Sequence, residues 1–124
     1  MNKRKIDDLI PRAYELLGKK EEGKNGLGIM SGDTKKNGQY RGQIASFGAA
    51  VAQGSILSAV SFFSSKGGSE VERQLLMTAI AKLINYDGEL YQYVIDNDRR
   101  VAKNEILHAA VALKLVMNLY DLGK

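Results

Sequence analysis

Few side chains in this chain have the types and spacing that chemistry needs. The single histidine, His108, stands among Leu107, Ala109 and Ala110. One turn to either side, only Glu105 is ionisable, so general acid–base work has a poor partner set. A histidine satisfied within its helix accounts for the position. Asp96 and Asp98 could share a cation, but beside a helix start they read more simply as turn and cap residues. No cluster has metal-ligand spacing. Ser46, Ser55, Ser58 and Ser61 have no base beside them and are expected to bond back to helix carbonyls. Gly23, Gly26, Gly28, Gly32 and Gly38 recur through GKNGLGIMSGDTKKNG without forming a phosphate-binding motif, and no strand precedes them. The residues therefore predict no catalytic group, no cofactor, no metal and no small-molecule substrate.

The cations are more informative. Net charge is +4, an excess that favours a polyanionic partner. Arg99, Arg100 and Lys103 crowd the start of the last predicted helix, the end of the dipole where positive charge is mildly unfavourable. Lys103 and Lys114 are eleven residues apart, about three turns, and so share one helix face, with Arg100 close to it. Such a stripe suits successive phosphates of an extended strand, bound without sequence preference and weakened by salt. A solvated helix face has the same pattern. Arg41, Arg73 and Lys82 are cations on other elements, and Lys24, Lys35 and Lys36 lie in the glycine-rich stretch. Tyr91 and Tyr93 are candidates for base stacking, although a short amphipathic helix would use Tyr91 as core.

The elements that position these residues are helical throughout. Residues 6–17 place Ile6, Leu9, Ile10, Ala13, Leu16 and Leu17 at helical spacing, with Asp7 or Asp8 as the cap and Pro11 near the first turn. Residues 23–38 read as a mobile loop. Tyr40–Gln53 predicts a helix with Tyr40, Ile44, Phe47 and Val51 on one face and the small residues Gly48, Ala49 and Ala52 elsewhere. Gly54 breaks it and Ser55 caps a further helix to Phe63. Ser69 and Glu72 have capping-box spacing and would open a helix running to Asn85. A short helix over Glu89–Ile95 is expected to turn Leu90, Tyr91, Val94 and Ile95 inward. The last helix runs from Asp98 to Leu122 and repeats Val101, Ile106, Ala109, Ala110, Leu113, Val116, Met117 and Tyr120 on its apolar face. No segment alternates with period two. The prediction is an all-α, single compact bundle of about six helices spanning residues 1–124.

After Arg41 the chain runs 24 residues without a charge, which raises the question of a membrane span. Gln43, Gln53, Ser46, Ser58, Ser61 and the Gly54–Ser55 break argue for a two-helix element instead, because a spanning helix would hold these polar groups in hydrocarbon. Charged residues interrupt the basic start before any apolar signal region forms. With no cysteine, the chain suits a reducing cytoplasm.

Three stretches together carry a resemblance. They are YRGQIASFGAAVAQGSILSAVSFF, with a Tyr-Arg pair opening a helix and a glycine break; ERQLLMTAIAKLI; and the closing NEILHAAVALKLVMNLYDLG. In these, the chain resembles the small α-helical subunit of the Cmr complex, the type III-B CRISPR–Cas RNA-targeting effector of antiviral defence. The resemblance covers roughly residues 6–17 and 40–122. It implies a non-catalytic structural subunit that stacks with copies of itself beside other Cmr subunits and lines the groove for guide RNA and target RNA. Arg41, Arg99, Arg100, Lys103 and Lys114 are the candidate phosphate contacts. The alternative is a helical protein–protein adaptor without a nucleic-acid role, docking through Gly48, Ala49 and Ala52.

Overall fold

The computed structural model describes residues 2–21, 24–30, 32–65 and 71–123. Six helices fill these residues: α1 (Lys3–Leu17), α2 (Thr34–Gln53), α3 (Ile56–Ser64), α4 (Arg73–Leu83), α5 (Leu90–Asp96) and α6 (Arg99–Met117). No strand occurs among them, so the chain is an all-α bundle. The long helix α6 lies at the centre. Its Ile106, Ala109, Ala112, Leu113 and Val116 are buried, and it packs mainly on α1 and α2, while α3 packs on α4 and α5. None of the helices is long and apolar enough to cross a membrane.

The helix starts show where local chemistry overrode the expected boundaries. In α1 the cap is Asn2, whose Oδ1 accepts the backbone N–H of Arg4 at 3.0 Å and of Lys5 at 3.2 Å. Asp7 and Asp8 therefore lie inside the helix, and Pro11 sits in its interior rather than in its first turn. Asp33 caps α2 by accepting the Lys36 N–H, so residues 34–38 are helix and not part of the glycine-rich loop. Ser55 caps α3 as expected, accepting from Ser58. Helix α4 opens at Arg73 with Glu72 as the cap residue and no side-chain capping bond, and it ends at Leu83. Ser69, the other half of the expected box, lies outside the described residues. Asn85 follows with φ +60°, a left-handed position that asparagine tolerates, and its Oδ1 accepts from Arg12 at 2.7 Å.

What is left of the glycine-rich loop is tied to the end of α1. Leu27 N–H donates to the Leu16 carbonyl, Gly28 N–H to Gly18 and Met30 N–H to Leu17, all within 2.8–2.9 Å. Ile29 and Met30 are buried in the core. This backbone-to-backbone approach is what Gly26 serves: a Cβ there would stand 2.2 Å from the Lys19 carbonyl oxygen and 2.7 Å from that of Gly18. Backbone cannot swing aside as a side chain can. Gly26→Ala is expected to destabilise by about 1–3 kcal/mol, the usual cost of overpacking. Gly32→Ala, where a Cβ meets nothing within 4 Å, serves as the control. Equal melting temperatures for the two variants would contradict the close approach.

At the other end, α6 stops at Met117 rather than Leu122. Residues 118–120 form a tight turn, with Leu119 N–H donating to Val116 and Tyr120 N–H to Met117. The chain then folds back over the start of α2. Asn37, buried at 2% exposure, donates its amide to the Asp121 carbonyl at 3.1 Å, and Gly38 leaves room for the Leu122 carbonyl, 2.4 Å from where a Cβ would be.

Candidate nucleic-acid interface

The expected cations separate into two groups along α6. Arg99, Arg100 and Lys103 stand on its first turns, placed there by the Asp98 cap, which accepts the N–H of Arg100 at 2.9 Å and of Val101 at 3.2 Å. Arg99 is partly committed to the fold, since its guanidinium donates to the Val94 carbonyl at the end of α5. Arg100 is exposed and Lys103 half-buried. Neither forms an ion pair among the described residues, and the same holds for Lys114. The ion pair of Lys5 with Glu105, at 3.6 Å, uses neither.

Lys114 and Arg41 form the second group. The fourteen residues from Arg100 to Lys114 correspond to about 21 Å of helix. Lys114 is exposed and is one turn from Asn118, whose Oδ1 accepts Arg41 Nε–H at 3.0 Å. Arg41 therefore belongs with the end of α6, not with its start. Between the two groups runs an apolar groove of ≈340 Å³, where Ala45, Gly48, Ala49 and Ala52 of α2 face Leu107 and Val111 of α6. Ala49 and Ala52 are exposed, and the place of a Gly48 Cβ has no heavy atom within 4 Å. The stripe is thus two cationic ends joined by small apolar residues.

Of the other cations, Lys24, Lys35, Lys36 and Lys82 are exposed, whereas Arg73 has a structural position. Arg73 is buried at 8% exposure, with its guanidinium carbon 4.7 Å from the centre of the Phe62 ring and 5.5 Å from that of Phe63. Such a cation–π contact is a packing role for a charge. Of the two tyrosines of α5, Tyr93 is half-buried, while Tyr91 differs from expectation. Tyr93 is held edge-on against Tyr86, with ring centroids 5.2 Å apart. Tyr91 is 40% exposed and Ile95 49%, so α5 turns only Leu90 and Val94 fully inward. A seven-residue helix that packs on α3, α4 and α6 from one side leaves the rest of its surface in water. Val101, 52% exposed, likewise falls off the buried face of α6.

One aromatic pair has no signature in the sequence. Tyr14 of α1 stacks on Tyr120 at 5.9 Å between centroids and 28° between planes. The two are more than a hundred residues apart, and Tyr120 lies in the turn after α6 rather than on the apolar face of a longer helix. Burial raises the Tyr120 phenol above its usual value, and the neighbouring Tyr14 adds to the shift.

His108 is buried at 7% exposure, and its Nε2 accepts the backbone N–H of Asn2 at 3.2 Å. Its Nδ1 has no partner among the described residues. The ring braces the cap of α1, and no second acid–base group among the described residues hydrogen-bonds to it. No group of three histidines or carboxylates among the described residues could hold a metal ion. Asp98 is occupied as a cap, and Asp96 accepts from Gln92 at 2.9 Å.

No protein-family profile, no curated protein and no solved structure matches this chain.

Proposed function

We propose that the chain is a non-catalytic structural subunit that holds an RNA backbone, of the kind its resemblance to the small α-helical subunit of the Cmr effector implies. In that role it would sit beside other subunits and copies of itself, with guide and target RNA against α6. One observation carries the reading: Arg100, Lys103 and Lys114 lie along one face of the central helix, and none is neutralised by a carboxylate among the described residues. Unpaired cations in a row attract a polyanion through release of its counterions. They contact phosphates and not base edges, so the binding would be indifferent to sequence.

The test is the affinity of the full chain for a labelled single-stranded RNA, measured by anisotropy from low to physiological salt. The double variant Arg100→Glu/Lys103→Glu is expected to bind more weakly. Its salt dependence should flatten by roughly 0.7 in the log–log slope for each phosphate that the variant no longer neutralises. Its melting temperature should stay near that of the parent, since neither side chain is fully buried or ion-paired among the described residues. Unchanged affinity with an unchanged slope would remove α6 from the interface.

A second reading is a protein–protein adaptor, and the open α2–α6 groove favours it. Ala52→Arg would then abolish capture of a partner protein after nuclease treatment.

A further inference from the structure

We propose that the junction between α1, the start of α2 and the turn after α6 is a seat for an unpaired nucleobase, which stacks on Tyr14 while Arg41 and Lys114 hold flanking phosphates. The inference rests on the backbone-binding reading and sharpens its ligand from RNA in general to single-stranded nucleic acid.

The geometry has three parts. Tyr14 remains 54% exposed although one side of its ring is stacked on Tyr120. An aromatic ring braced in this way offers a preorganised surface at little further entropic cost, and every base has a π-face to meet it. Secondly, Arg41 is oriented by a single hydrogen bond from Nε to Asn118. Its two terminal nitrogens have no partner among the described residues and remain available for phosphate oxygens. Asn118 and Tyr120 belong to one tight turn, so the guanidinium and the ring pair are held by the same piece of backbone. Lys114, one turn earlier, adds a second cation. Thirdly, this turn borders a cavity of ≈490 Å³ lined by Asn118, Tyr120, Asp121 and Leu122.

Two carboxylates of this region, Asp121 and Glu15, each hold one hydrogen bond. Asp121 Oδ1 accepts the Gly123 N–H at 3.0 Å, and Glu15 accepts from Asn25 at 2.8 Å. The interior bases of a duplex cannot use the seat, because both of their faces are stacked. A looped-out or single-stranded nucleotide can.

Three ligands of equal length separate the possibilities: single-stranded oligoadenylate, an abasic strand with the same phosphates, and a duplex. The full chain is expected to bind oligoadenylate best. Tyr14→Ala should lower that affinity roughly tenfold, within the range known for loss of one base–aromatic stack, and leave abasic binding unchanged. Tyr14→Phe should behave as the parent. Tyr14→Leu, which keeps apolar packing on Tyr120, should lose affinity as the alanine variant does. Arg41→Gln should weaken oligoadenylate and abasic strands alike. A 2-aminopurine base in the strand should be quenched on binding by the parent and not by Tyr14→Leu. If the parent binds oligoadenylate and the Tyr14 variants match it, or lose both strands equally, the seat is wrong and backbone binding stands. If the parent binds no RNA, both readings fall. Retention of a protein partner through Tyr14 with no change in RNA affinity would also overturn the seat.

Discussion

Replacing Phe47 with alanine is expected to cost about 3–5 kcal/mol, the usual range for a fully buried phenylalanine. Phe47 has no exposed surface and meets the Phe63 ring edge-on, with centroids 5.2 Å apart. Phe63 in turn contacts Phe62 in the same manner, and Arg73 lies over both rings. One side chain of α2 therefore supports the packing of α3 and α4. The cavity left by alanine would be walled by residues of three helices, which leaves little room for collapse. Against a total stability of about 5–15 kcal/mol for a domain, such a loss brings the chain close to unfolding. Urea denaturation followed by circular dichroism measures it. A midpoint within error of the parent would mean that α2 does not bear on the core as described. Ala49→Ser, on the exposed face of the same helix, should change stability by less than about 0.5 kcal/mol.

The second large effect is a dependence of stability on pH through His108. The imidazole is buried and accepts a hydrogen bond from the Asn2 N–H, which it can do only when neutral at Nε2. Burial pushes its pKa below the usual 6.5. The Glu105 carboxylate on the same helix pulls it upward, and Lys5 of α1 and the amino terminus push it down. The unfolded chain thus takes up the proton more readily than the folded one. The contribution of His108 is fully present above pH 6.5 and is lost as the pH falls through the depressed value of the folded state. Over that window the slope is at most about 1.4 kcal/mol per pH unit for one proton. The carboxylates, with reference values near ~4, stay ionised across the upper part of it. In the parent, the melting temperature should fall between neutral and mildly acidic pH, and the backbone amides at the start of α1 should lose exchange protection first. His108→Gln keeps an acceptor but does not titrate in this range, so its melting temperature should be flatter over the same window. Parallel curves for the two proteins would exclude His108 as the titrating group.

How much of the fold is legible in the sequence follows from which interactions are local. Tyr40, Ile44, Phe47 and Val51 recur with helical period, and all four are buried on one face of α2. The same periodicity locates the buried faces of α1, α3 and α6, because a helix that packs on one side must repeat its apolar residues every three or four positions. The Gly54–Ser55 break is equally plain, since a glycine ending one helix and a serine capping the next act within four residues. The ends are less legible. Whether Asn2 or Asp7 caps α1 depends on whether the extra residues can be held, and the bond from Asn2 to His108 holds them across the fold.

The sequence by itself determined the helical class, most core-facing residues of α1, α2, α3 and α6 and the presence of a cationic face on the last helix, because each is a matter of period and composition within one segment. It misplaced Tyr91, Ile95 and Val101, which are exposed. Only the tertiary structure decided how those cations are distributed. It placed Arg41 with Asn118, spent part of Arg99 on the end of α5, and laid Arg73 over two phenylalanine rings. It also brought Tyr14 against Tyr120, which no local pattern relates. The physical reason is the same in each case. A charged or aromatic side chain can reach several partners, and which one it meets is set by how the helices cross, a property that period and composition do not encode.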